Sequence, residues 1–85
     1  MNKALEDLSH CGDIGSLETA LRSLCSSYGA VTRLDVLPMV GAGKHQVVCL
    51  MRLDSPERER DLMTMLGASR VGENVYLVVD LRIPA

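Results

Sequence analysis

The chain has 85 residues, of which 47% are hydrophobic and 24% are charged, and its formal net charge is −2. This length fits one small domain over residues 1–85, and the composition is typical of a folded protein. The negative charge excludes strong non-specific attraction to nucleic acid, so a nucleic-acid site would need a local basic patch. No apolar stretch approaches the roughly 20 residues that span a bilayer, and no secretory signal opens the chain. We therefore expect no membrane attachment.

The three cysteines, Cys11, Cys25 and Cys49, are widely spaced and contain no C-x-x-C pair. This spacing indicates neither a disulfide framework nor a zinc site, and we interpret the cysteines as reduced thiols of a cytoplasmic protein. The sequence also contains no nucleophile–base signature and no cofactor fingerprint. The segment GAGK (41–44) lacks the further glycine of a phosphate loop. We therefore expect no catalysis, no metal and no cofactor.

The N-terminal segment ALEDLSHCGDI, residues 4–14, has neither a clean helical nor a clean strand period. We expect a short strand at residues 8–11, because a three-stranded sheet would leave an edge unpaired. Residues 1–7 are expected to be irregular or helical.

A helix is predicted after Ser16, with Ser16 as its N-cap and Gly29 as a left-handed stop. Its apolar residues recur at the spacing of one helical face. These residues are Leu17, Ala20, Leu21, Leu24 and Cys25.

Strands are predicted around residues 33–37, 44–53 and 74–82. Pro38 is expected to close the first, and the turn MVGAGK (39–44) leads into the second. A second helix is predicted between Ser55, as N-cap, and Gly67, and the run ERER (57–60) in it is interpreted as a solvated face. A turn at Gly72 then precedes the last strand.

The predicted order, (strand)–helix–strand–strand–helix–strand, favours an α+β fold of ferredoxin-like βαββαβ topology. In that fold both helices cover one face of a four-stranded antiparallel sheet. The second strand, KHQVVCLMRL (44–53), has two apolar faces. Val47, Cys49, Met51 and Leu53 would pack beneath the helices, and Gln46, Val48 and Leu50 would lie on the open face.

The segments ALRSLCSSYGAVTRLDV (20–36) and MLGASRVGENVYLVV (65–79) resemble two stretches of the RNA recognition motif family. The first segment is similar to the family's first helix and second strand, although Cys25 replaces the usual Phe. The second segment resembles the second helix end and the fourth strand. The resemblance covers residues 8–82 and implies a module that binds single-stranded RNA on its open sheet face.

The family's aromatic stacking positions are poorly matched in this chain. KHQVVCLM (44–51) corresponds to the octamer of the third strand, with Lys44 at its basic position and Gln46 and Val48 in place of the exposed aromatics. SHCGDI (9–14) is the best placement of the first-strand hexamer, with His10 at the stacking position. Since one stacked base contributes about 1–3 kcal/mol, losing two platforms would weaken RNA binding by roughly 2–6 kcal/mol.

The sequence leaves three interpretations of the open face, of which one is an ordinary solvated surface with a few tolerated aliphatic residues. A small-molecule regulatory domain of the same topology is a further hypothesis that rests on fold analogy alone. The other two interpretations give the face a binding function. In the first, it binds single-stranded RNA weakly: Tyr76 and His10 stack on bases, Gln46 and Val48 lie at the centre, and Lys44, Arg33 and Arg52 reach phosphates. In the second, an apolar patch of Leu37, Val48, Leu50 and Val78 contacts a protein partner or a second copy of the chain.

Overall fold

The computed structural model describes residues 3–41 and 44–82 of the protein. The elements are α1 (Lys3–Ser9), α2 (Ile14–Ser26), β1 (Val31–Gly41), β2 (Lys44–Leu53), α3 (Pro56–Leu66), β3 (Ser69–Val71) and β4 (Asn74–Asp80). The strands form one antiparallel sheet in the order β1-β2-β4-β3. The α+β class and the four-stranded antiparallel sheet are therefore confirmed, with three helices in the described part of the chain. None of these helices is long and apolar enough to cross a membrane.

The strand expected at residues 8–11 is wrong, because this part of the chain leaves helix α1 at Ser9 and turns into α2. The reason lies in the sheet. β4 pairs antiparallel with both β2 and β3, so β2 and β3 run in the same direction, and α3 connects them. In such a split β-α-β unit, β4 fills the slot that the N-terminal strand was expected to occupy. The described residues therefore do not follow the βαββαβ order.

The core lies between the helices and one face of the sheet. The inward positions of β2 and β4 alternate strictly with outward ones, as a half-buried strand requires. The expected inner set of β2, Val47, Cys49, Met51 and Leu53, is confirmed, and none of the four is more than 5% exposed. The other buried residues of the core are Leu8, Leu17, Leu21, Cys25, Leu62, Leu66, Val75, Leu77, Val79 and, just after β4, Leu81.

The start and end of α3 agree with the sequence prediction. The Ser55 side chain accepts a hydrogen bond from the backbone N–H of Arg58 at 3.4 Å, and Pro56 occupies the first turn. Gly67 ends the helix with φ 66°, a left-handed conformation that glycine adopts without steric cost.

The predicted cap of α2 is wrong by three residues. The helix begins at Ile14, and its N-cap is Asp13, whose Oδ1 accepts from the backbone N–H of Ser16 at 2.6 Å. This hydrogen bond holds the pKa of the Asp13 carboxyl below its ordinary value. Asp satisfies a helix N–H at the N-cap as well as Ser does, so residue type alone does not favour Ser16 over Asp13.

Gly29 was expected to be a left-handed stop, but its φ of 158° lies far from that region. A β-carbon at this position would lie 2.9 Å from Asp54 Oδ1. The same oxygen accepts a hydrogen bond from the backbone N–H of Ala30 at 3.2 Å. Gly29 therefore leaves room for Asp54 to join the start of β1 to the end of β2.

The run ERER was interpreted as a solvated face, but Glu59 within it is only 4% exposed. Its Oε1 lies 2.8 Å from Arg70 Nη2, and its Oε2 accepts from the backbone N–H of Leu53 at 3.0 Å. This N–H lies beyond the last β2–β4 pair, Met51–Val75. Glu59 therefore satisfies a backbone donor at the point where strand pairing ends.

Both edges of the sheet are poor templates for a further strand. β3 is only three residues long. The carbonyl of His45 in β2 accepts a hydrogen bond from the N–H of Leu81 at 2.9 Å, so His45 bonds toward β4. Because successive residues of a strand bond to opposite sides, the even-numbered residues of β2 bond to β1. Pro38, paired with Val47, then points its nitrogen to the free edge of β1. A proline there removes an edge donor at no cost to the ladder.

The two buried thiols of the core are strongly shielded. Burial raises the pKa of Cys25 to about 11 and that of Cys49 to about 12, from 9.0. Cys11 is only partly buried. Because the thiolate is the reactive form, a thiol-disulfide reagent at pH 8 is expected to modify Cys11 rapidly and the other two only after unfolding. Fast modification of two or more thiols in the native protein would contradict this.

The same pKa shifts set the sign of the alkaline pH dependence. Unfolded thiols ionise near pH 9, whereas folded Cys25 and Cys49 ionise near pH 11 and 12. Both thiols therefore favour the folded state fully below pH 9, and their contribution is lost as the pH rises from 9 through 11 and 12.

Candidate functional site

The sheet face opposite the helices carries a continuous apolar surface. The strand register aligns Leu37, Val48 and Val78 in one row across β1, β2 and β4, and Leu50 and Tyr76 lie side by side in the next row. Met39 adjoins the first row on β1. We call this surface the open patch; it comprises Leu37, Met39, Val48, Leu50, Tyr76 and Val78.

The side chains of the open patch are accessible to solvent. Met39 is 55% exposed, Leu37 48% and Val78 37%, while Val48, Leu50 and Tyr76 are partly buried by their neighbours. No described element covers them, since the contacts of the helices with the sheet come from its other face. The structure thus brings together the four residues of the predicted protein interface, Leu37, Val48, Leu50 and Val78.

The arginines predicted to bind phosphate are on the same face, but each is paired with a carboxylate. Arg33 Nε lies 2.6 Å from Asp35 Oδ2, and Arg52 Nη1 lies 3.1 Å from Glu73 Oε2. These pairs are exposed and add little stability, yet they offset the positive charge that a phosphate backbone would need. Asp80 adds a further carboxylate beside Gln46.

Only some of the remaining residues predicted to contact RNA lie on the open face. Gln46, Val48 and Tyr76 lie on the open face as expected. The placement of His10 on the sheet is wrong, because His10 lies in the turn after α1, with its Nε2 3.2 Å from Arg82 Nη1. Lys44 begins β2 opposite Gly41, but its side chain lies outside the described residues. Tyr76 is therefore the one aromatic of the open patch.

Met39 is a member of the open patch that the sequence interpretation missed. The stretch MVGAGK was expected to be a flexible turn after Pro38, but β1 continues to Gly41, and Met39 pairs with Gln46. The signal was present, since Met39 continues the outward alternation of Arg33, Asp35 and Leu37. It was overlooked because Pro38 was expected to end the strand. A proline is tolerated in an edge strand when its nitrogen faces solvent, so β1 continues past it.

Comparisons with family models, with curated proteins and with solved structures find no match to the chain. Within the described residues, no three His, Cys, Asp or Glu side chains are grouped so as to hold a metal ion. The open patch is an apolar centre bordered by charges that are paired within the chain.

Proposed function

We propose that the protein is a non-catalytic association module that docks on a protein surface through the open patch, and that a second copy of the chain is its partner. The observation that carries the proposal is the contiguous run of six apolar side chains across three adjacent strands. Strand spacing and rise give this surface a footprint of roughly 14 Å by 20 Å. Exposed apolar patches of about 300–600 Å² on small proteins are frequently interaction sites.

Charge supports a contact between identical faces. A face with many unpaired like charges would repel its own copy, but Arg33 and Arg52 are each neutralised within the chain. Pro38 and the shortness of β3 disfavour association through the sheet edges. Face-to-face packing of two sheets, about 10 Å apart, then remains the mode that buries the most apolar area.

The contact is expected to be weak. Two such footprints bury on the order of 600 Å² together, below the roughly 1,200–2,000 Å² of stable complexes. After the cost of lost translational and rotational freedom, we expect a dissociation constant of roughly 10 μM to 1 mM. The association is therefore reversible.

Sedimentation of the purified chain over a range of about 10 μM to 1 mM tests this proposal. The average mass should rise toward that of a dimer, and Leu37→Glu should abolish the rise because a carboxylate would be buried in the apolar contact. Ile14→Glu is the matched control, since Ile14 is 38% exposed at the start of α2, away from the open patch. A strict monomer, or equal effects of both variants, would contradict the proposal.

The binding of single-stranded RNA, implied by the family resemblance, is the alternative outcome. The segment from α2 to β4 keeps the helix-strand-strand-helix-strand order along the chain, with β3 added, but β4 lies inside the sheet beside β2. The support for RNA binding is therefore the sequence resemblance and not the arrangement of the sheet. An NMR titration with short mixed-sequence RNA at low salt decides the matter. Shifts at Gln46, Val48 and Tyr76 in a chain that stays monomeric would favour RNA binding over protein association.

A further inference from the structure

A groove separate from the open patch lies between α3 and the turn that joins β3 to β4. Its volume is about 460 Å³. One side is a stripe of α3 at helical spacing, formed by Pro56, Glu59, Arg60 and Met63, and the other side carries Arg52 and Glu73. The volume falls in the range of about 300–1,000 Å³ that is usual for small-molecule sites.

Arg70 and Glu59 are fully engaged within the wall of the groove. Arg70 Nη2 bonds Glu59 at 2.8 Å and Met63 Sδ at 3.3 Å, and its Nη1 donates to the backbone carbonyl of Glu73 at 3.2 Å. The other Glu59 oxygen accepts from Leu53. This pair is therefore a neutral part of the wall and leaves little charge for a ligand.

The other two arginines of the groove retain donors. Arg52 Nε has no hydrogen-bond partner in the described part of the chain, and the Arg52 side chain as a whole is 42% exposed. Its Nη1 bonds only the carboxylate of Glu73, whose side chain is 83% exposed and can swing into solvent. Arg60 is exposed and takes part in no ion pair between described residues. The groove thus presents two guanidinium groups and one displaceable carboxylate.

We propose that this groove binds an organic phosphate monoester, with Arg52 and Arg60 as the phosphate ligands. Guanidinium groups match the oxygens of phosphate and form strong charge-assisted hydrogen bonds with them. The groove is much larger than a phosphate group, and Pro56 and Met63 line it, so the remaining space fits an apolar body on the phosphate. In the empty site the Glu73 carboxylate is paired with Arg52, and it moves into solvent when the phosphate binds.

Titration of the purified chain with phenyl phosphate, followed by NMR, tests the site. We expect millimolar binding with shifts at Arg52, Arg60 and Met63. Inorganic phosphate should bind roughly tenfold more weakly because it leaves the apolar wall unfilled. Benzoate, a monoanion with the same ring, should also bind more weakly than phenyl phosphate. Equal affinity for inorganic phosphate and phenyl phosphate would overturn the assignment of an organic ligand.

Three variants make the test specific. Arg60→Gln should weaken phenyl phosphate binding about tenfold, since one charge-assisted contact is lost. Glu73→Gln should strengthen it, because the competing carboxylate is removed. Arg58→Gln is the control: it makes the same charge change on the same helix, outside the groove. Equal weakening by Arg58→Gln and Arg60→Gln, or weaker binding after Glu73→Gln, would overturn the proposal, since either result would indicate general charge attraction.

Discussion

Replacing Met51 with alanine is expected to lower the free energy of unfolding by about 2–5 kcal/mol. Met51 is fully buried in β2, between Leu34 of β1 and Val75 of β4, and its Sδ lies 3.6 Å from Cys25 Sγ of α2. Truncation would leave a cavity at the junction of the sheet and the helix layer, where packed neighbours cannot collapse fully. For a domain of this size, with a total stability of roughly 4–13 kcal/mol, this is a large fraction.

Met39→Ala is the matched control for this prediction, because it makes the same side-chain change on the neighbouring strand. Met39 is 55% exposed, so its replacement should alter the free energy of unfolding by about 0.5 kcal/mol or less. Urea unfolding at low protein concentration, where the chain is monomeric, measures both. Similar losses for the two variants would contradict the assignment of Met51 to the core and of Met39 to the open patch.

Glu59→Ala is expected to lower the free energy of unfolding by about 1–3 kcal/mol. The variant leaves the backbone N–H of Leu53 without its acceptor and Arg70 without its carboxylate. The Arg70 side chain is 41% exposed, so water compensates part of the second loss. Glu59→Gln should cost less, because the amide oxygen can still accept from Leu53.

Glu57→Ala is the control for this second prediction. Glu57 lies in the same first turn of α3 but is exposed, so its removal forfeits only the interaction with the helix dipole, about 0.3–1 kcal/mol. Thermal or urea unfolding of Glu59→Ala, Glu59→Gln and Glu57→Ala ranks their losses in the free energy of unfolding. If Glu59→Ala were no more harmful than Glu57→Ala, Glu59 would not be the contact that completes the end of β2.

The correctly predicted parts of the fold are those that depend on neighbouring residues in the sequence, such as strand alternation and helix capping. The alternation of β2 gave its inward and outward faces, and Ser55, Pro56 and Gly67 gave both ends of α3. The N-terminal strand was wrong because its existence depended on the sheet topology. The fourth strand of the sheet is instead β3, Ser69–Val71, which pairs with β4. Three residues carry too weak a pattern to be recognised in the sequence.

The open patch was predictable in outline, since the four aliphatic residues of the alternative interface lie together as expected. The partners of the charged residues were not predictable. Glu59 pairs with Arg70, eleven positions further along the chain, and Arg52 pairs with Glu73, 21 positions further along and beyond both α3 and β3. Local charge patterning cannot identify such pairs, and for this reason ERER was interpreted as a solvated run and the pairing of Arg52 with Glu73 was not predicted.

The position of β4 in the sheet also has a consequence for synthesis on the ribosome. β4 is the last strand in chain order, yet it lies inside the sheet, between β2 and β3. Until Asp80 has left the exit tunnel, the inner edge of β2 lacks its partner, and the nascent helices have no complete sheet to cover. The β1–β2 hairpin can form early, but the core can close only after β4 has emerged, so folding of this domain is expected to wait for its last strand.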